Sequence, residues 1–191
     1  MKNIFKALGV VASLALVLFV AGCDFNPKGH SYYFNQYSIE DSSGTTVASI
    51  TANSLTELMV TPDTSSPGIK IEKLSNGSYK VTGIGTSTTY TAEEAKSSEY
   101  AKYIDFLSLT MSFGASDVQI TSDNTGTVAG TYTTGDDVIT VTTTSTAISK
   151  DGSAKTINFG VMWDGDFLSS SDSITQNGES YTEHWGFVTS F

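Results

Sequence analysis

The chain has no arginine, a single cysteine, two histidines and three prolines in 191 residues. Each shortage closes off a class of function. Without arginine there is no planar guanidinium to grip a phosphate or carboxylate through two parallel hydrogen bonds. The 10 basic residues are all lysine and face 20 acidic ones, for a net charge of −10. Such a chain is a poor match to nucleic acid, whose binding rests on neutralising phosphates. One cysteine excludes an intramolecular disulfide, and two histidines with that cysteine make no zinc set. No stretch pairs a nucleophile with a base, cradles a phosphate or spaces metal ligands. The chain reads as non-enzymatic, with no catalytic residue, no metal and no cofactor.

What is present begins with a leader. Lys2 and Lys6 flank an apolar run over residues 7–20, which ends in Val20-Ala21-Gly22-Cys23. A positive start, a short apolar run and small residues before a cut site make a secretory signal. The run is shorter than the roughly 20 apolar residues a spanning helix needs. The tetrad resembles the lipobox of bacterial lipoproteins. That resemblance implies cleavage before Cys23, a diacylglycerol on its sulfur and a further acyl chain, of the palmitate kind, on its amine. Two or more acyl chains meet the requirement for stable anchoring. It implies a protein of the bacterial cell envelope, held to a membrane through Cys23 and exposed outside the cytoplasm. Asp24 after the cysteine resembles the inner-membrane retention signal of enteric bacteria; inner membrane, outer membrane and cell surface all stay open. Removing residues 1–22 takes away Lys2 and Lys6 but no acidic residue, so the body is more acidic than the whole chain. An anionic membrane would repel it, leaving the acyl chains to hold it there.

Residues 23–30 form a short tether, and residues 31–191 a single domain rich in Thr, Ser, Tyr, Val and Ile with Gly, Asn and Asp between them. Apolar residues alternate along it: Leu107, Leu109, Met111, Phe113; Val118, Ile120; Val128, Gly130, Tyr132; Ile157, Phe159, Val161, Trp163; Tyr181, Trp185, Phe187. A two-residue period with one apolar face predicts antiparallel sheet. Asn76-Gly77 predicts a hairpin. Turns are also expected at residues 123–126, 135–137, 151–152, 164–166 and 177–178. Thr91 with Glu94 reads as a capping box, opening a helix near 92–104 whose packing stripe is Tyr100, Tyr103 and Ile104. The plan is about five strands, one helix, then about six strands. The fold class is mainly β, an antiparallel up-and-down barrel or a β-sandwich with one short mid-chain helix.

From Leu107 onward the segments resemble small lipocalin-like domains of bacterial envelope lipoproteins. The likeness rests on Leu109-Thr110-Met111-Ser112-Phe113, Gly130-Thr131-Tyr132 and Gly135-Asp136-Asp137-Val138-Ile139. Where that family opens with Gly-x-Trp, this chain has Gly29-His30-Ser31-Tyr32. The resemblance implies a closed barrel that either fills with side chains or holds one small apolar molecule.

On that implication the candidate ligand-lining residues are Phe113, Tyr132, Phe159, Trp163, Glu183 and Trp185. Glu183 shares the face of Tyr181, Trp185 and Phe187, so it either orients a polar ligand head or sits exposed at a strand end. His184 is its neighbour and points to the opposite face, which excludes an acid–base pair. Tyr32, Tyr33, Phe34 and Tyr37 put aromatics on both faces of the first strand, one set expected inward or under the helix. Two functions stay open: a membrane-tethered module binding a small apolar or amphipathic ligand, and an envelope surface protein with a solid core that binds another envelope protein. The polar outward positions Thr127, Thr131 and Thr133 argue against an outer-membrane barrel, which needs an apolar outer band.

Overall fold

A computed structural model describes residues 25–63, 65–149 and 151–191. The leader and Cys23 lie outside the described residues.

Strand β1 (Ser31–Glu40) organises the sheet. One of its edges pairs with β13 (Glu179–Val188) from Tyr33 to Glu40. Its other edge is divided: Ser31, Tyr32 and Tyr33 pair with β7 (Thr110–Phe113), whereas Gln36 to Glu40 pair with β2 (Thr46–Ser54). From β7 the sheet continues through β8 (Asp117–Ser122), β9 (Gly126–Gly135), β10 (Val138–Thr143), β11 (Lys155–Met162) and β12 (Phe167–Gln176) to β13, and so back to β1. That ring of eight antiparallel strands is a closed barrel, which decides against the sandwich. From β2 a meander runs out through β3 (Glu57–Thr61), β4 (Ile69–Lys73), β5 (Tyr79–Gly83) and β6 (Thr86–Tyr90).

The two ends of the barrel differ. At the end where β1 begins, the ring is complete. At the other end β1 turns to β2, and β11 and β12, which pair only near the closed end over Gly160–Met162 and Phe167–Ser169, part from each other. Helices α2 (Ala101–Ser108) and α3 (Thr146–Ser149) fill this open end, and α1 (Ala92–Ser97) packs on α2 and β6. Helix α2 buries Ile104, Phe106 and Leu107 and touches β1, β3, β8 and α3.

The alternating residues pack inward as their period requires. Met111, Phe113, Val118, Ile120, Ile139, Val141, Ile157, Phe159, Leu168, Trp185 and Phe187 are each at most 3% exposed. The barrel interior is a packed core crossed by aromatic contacts, among them Phe113 with Tyr132 at 5.0 Å and Phe159 with Phe187 at 5.7 Å. Tyr32, standing where the resembled family carries tryptophan, is fully buried in the closed end and donates its hydroxyl to the Gly165 carbonyl at 2.6 Å. All six expected turns occur where their residues place them, with Gly77 in the left-handed region at φ 81°.

Four expectations need correction. The helix near 92–104 is two helices. The capping box at Thr91 forms, but Ser98 ends the first helix by bonding the Ala95 carbonyl from its hydroxyl, and it accepts from the N–H of Tyr100, the residue that precedes the second. Leu107 belongs to α2, because the strand begins only at Thr110. Trp163 leaves the inner face: β11 ends at Met162, and Trp163 and Asp164, both at φ 54°, turn the chain outward and leave the indole 66% exposed. Finally, Tyr32, Phe34 and Tyr37 all point inward, because a bulge between Phe34 and Gln36 adds one residue and returns Tyr37 to the inner face.

Gly130 marks a close approach of two strands. A Cβ there would lie 2.7 Å from the Thr142 carbonyl oxygen and 3.2 Å from a Val118 methyl. Gly130→Ala is expected to destabilise the fold by about 1–3 kcal/mol, the usual cost of overpacking. Urea unfolding checks it; an unchanged midpoint would mean that β9 and β10 separate there at no cost.

Candidate functional site

The open end of the barrel collects the polar side chains of the interior. Alternation alone brings them there. Glu183 lies opposite Ile39 on β1 and Asp172 on β12, Lys155 lies opposite Thr143, and Trp185 lies opposite Tyr37 and Ser170. All face inward. Glu183 is 2% exposed and accepts from Lys155 Nζ on one carboxylate oxygen and from the Tyr37 hydroxyl, at 2.9 Å, on the other. The Lys155 ammonium also sits 5.5 Å from the centre of the Trp185 ring.

This environment sets the charge states. Burial pushes the Glu183 carboxyl up, but the Lys155 ammonium, the Trp185 indole N–H and the Tyr37 hydroxyl outweigh it and hold the group below the usual carboxylate range. The Tyr37 hydroxyl is pushed well up, by burial first and by the Glu183 charge second. Burial also pushes Asp172 up; Lys155 opposes this and Glu183 reinforces it. Ser170 Oγ and Asp172 Oδ2 are buried without a protein hydrogen-bond partner, so this is the polar corner of an otherwise apolar interior. Glu183 is therefore an ionised, paired group, not the exposed strand-end residue its type suggests. His184 faces outward, its Nε2 3.4 Å from Glu40, and takes no part.

Above this corner lies a cleft of about 500 Å³ between the meander and the helices. Its sheet wall carries Tyr37, Ile39, Ala48, Ile50 and Val60, and its helix wall Tyr103, Phe106 and Ala147. Lys102, Asp105 and Gln176 bring polar groups to it. The helix wall is pinned. Asp105 accepts from the Ser122 hydroxyl at 2.7 Å and from the Asn124 N–H at 3.2 Å, and Ser108 accepts from the Asp123 N–H at 2.7 Å. Burial raises the Asp105 carboxyl despite these bonds. Asp123 in turn accepts from Lys73 and from Tyr79, both at 2.6 Å, tying the meander to the β8–β9 turn. Lys102 is exposed and lies over the Tyr103 ring at 4.7 Å.

The six candidate lining residues therefore divide. Phe113, Phe159 and Trp185 are core residues in contact with other aromatics. Tyr132 packs on Phe113 and bonds the Gly114 carbonyl at 2.9 Å near the closed end. Trp163 is outside, and Glu183 is in the polar corner beneath the cleft. None of the six lines the cleft, because its walls come from segments far apart in sequence; Tyr37 and Tyr103 enter the sequence reading only as an aromatic of the first strand and a packing residue of the helix. The sole sequence signal for them was the aromatic content of the first strand and the helix.

Comparison with known proteins finds no matching family model, no similar curated protein and no similar solved structure.

The pairing of Glu183 makes stability depend on pH. A carboxyl whose folded pKa is depressed contributes stability above its unfolded value, about 4.3, and loses it as pH falls through the folded value. Asp105 and Asp172, raised by burial, act in the opposite sense and favour the folded state as pH falls. Glu183→Gln is expected to cost about 2–4 kcal/mol at pH 7; the lower end reflects the quarter of Lys155 that stays in water. The gap between variant and wild type should close as pH falls from 7 through the depressed folded value of Glu183. Guanidinium unfolding across that range measures it, and a gap independent of pH would show that Glu183 contributes only by packing.

Proposed function

We propose that this chain is a cell-envelope lipoprotein, anchored to a membrane through Cys23, whose domain is a non-enzymatic module binding one small amphipathic molecule. The ligand lies in the cleft at the open end, between meander and helices, and not inside the barrel. The cleft carries this reading. Its volume, about 500 Å³, falls in the range of small-molecule sites, its walls are mainly apolar and aromatic, and a few polar groups converge on it. Apolar walls against Ile39, Ile50 and Val60 suit a hydrocarbon body. Lys102, in an otherwise strongly acidic chain, suits an anionic or polar head. The leader and its terminal cysteine support the anchor.

The packed barrel interior favours a second reading, an envelope surface protein whose partner is another protein. One experiment separates the two. Native mass spectrometry of the full chain, released from a bacterial host, is expected to show an added mass that is lost on denaturation. Ala48→Phe, which fills the cleft without entering the core, should lower its occupancy about tenfold, a loss of roughly 1.4 kcal/mol in binding, with little change in melting temperature. A bare polypeptide that takes up neither fatty acids nor phospholipids would favour the protein partner.

The anchor has its own test. Radiolabelled palmitate should mark the wild type and not Cys23→Ser, which should leave the membrane fraction. Equal labelling of both would place the lipid elsewhere or remove it from the account.

A further inference from the structure

The closed end of the barrel bears a feature that neither the cleft nor the core uses. Trp163 is 66% exposed, with its ring 5.1 Å from that of Phe167. It is held by a turn in which Trp163, Asp164 and Gly165 all have positive φ, at 54°, 54° and 95°. For a bulky residue that backbone is costly, and here the cost pushes an indole away from the core into solvent. Phe191 is 49% exposed, and Thr189 bonds the Asp166 carbonyl at 3.1 Å, which brings the C-terminus to the same turn. Val138, 38% exposed, joins them: its neighbour Asp137 accepts from the Val161 N–H at 2.8 Å.

The start of the folded body is fixed at this same end. Phe25 packs into the Trp163–Gly165 turn so closely that a Cβ on Gly165 would fall 2.0 Å from its ring. Gly29 and His30 bond across to Phe113 at 2.8 and 2.9 Å. One residue, Asp24, separates Cys23 from Phe25, and the two peptide units that join them span at most about 7 Å. An acyl chain on Cys23 is therefore tethered within that reach of Phe25, whose ring packs against Gly165 of the Trp163 turn. The cleft lies at the opposite end of the barrel.

We propose that the closed end, centred on Trp163, is a membrane-contact surface that rests on lipid headgroups once Cys23 is acylated; the proposal relies on the anchor described above. Tryptophan is the side chain most suited to that depth, with an apolar ring and one N–H donor. The same end carries Asp136, Asp137, Asp164 and Asp166 against Lys28, so the surface selects zwitterionic headgroups and is repelled by anionic ones. In this orientation the cleft opens away from the bilayer and receives its ligand from the aqueous side.

The two tryptophans make this measurable, since Trp185 is 1% exposed in the core and Trp163 is not. The acylated full chain would be reconstituted into phosphatidylcholine vesicles with or without bromine on the acyl chains, and flotation would be scored alongside emission. Trp163 emission is expected to fall about twofold in brominated vesicles, as for an interfacial indole. Trp163→Phe should remove the quenched component and keep the Trp185 emission, and replacing half the lipid with phosphatidylglycerol should weaken the quenching. A chain that floats with unquenched emission overturns the contact surface alone. A chain that does not float overturns the anchor and the surface together. A blue shift that grows with protein concentration in the absence of lipid assigns the face to a second copy and overturns the proposal.

Discussion

A strand has two hydrogen-bonding edges, and β1 divides one of them between two partners. Its first residues close the barrel against β7, and its last residues carry the sheet away into β2. Every large feature of the molecule follows from that division. If β7 held the whole edge, the meander would have no place to attach; if β2 held it, the barrel would not close. Sharing the edge gives a barrel complete at one end and open at the other. The open end leaves apolar faces of the barrel and the meander uncovered by strands, and α2 and α3 are there because Phe106, Leu107 and Ile148 cover what the split would otherwise leave in water.

The bulge between Phe34 and Gln36 makes the division tolerable. Without the extra residue, Tyr37 would face solvent while Tyr32 and Phe34 faced the core. With it, three aromatics of one strand face inward and reach, in turn, the closed floor, Phe106 of α2 and the Glu183 carboxylate. One strand thereby links the floor, the helix cover and the polar corner. The open end also concentrates the interior's charge. A carboxylate on an apolar face is tolerated only when paired, and Lys155 with Tyr37 supplies the partners. The pair sits where the barrel is least complete, so that Lys155 keeps part of its side chain in water.

The two ends thus have different chemistry. The closed end is tied to the chain's entry by Phe25 and by the bonds of Gly29 and His30, and it displays Trp163. The open end holds the paired charges and the cleft. Under the proposed anchor at Cys23, the closed end would face the membrane and the cleft would face solvent.

What sequence alone determined is whatever local physics enforces. A period of two placed Val118, Ile120, Ile157, Phe159, Glu183, Trp185 and Phe187 on one face, because a strand leaves no other option. Asn76-Gly77 and the Asp-rich turns ended strands where the backbone needed positive φ or an acceptor. Thr91 and Glu94 opened a helix by satisfying its first N–H groups. Tertiary structure decided the rest. Barrel over sandwich came from the pairing of β1 with β13, residues about 150 apart, which no local signal encodes. The break at Ser98, the outward turn at Trp163 and the bulge before Gln36 are each a single residue's choice settled by what it packs against. The partners of Glu183 and the walls of the cleft come from strands and helices that meet only after the barrel has closed. Periodicity tells a residue which way to point; only the closed sheet tells it what it will meet.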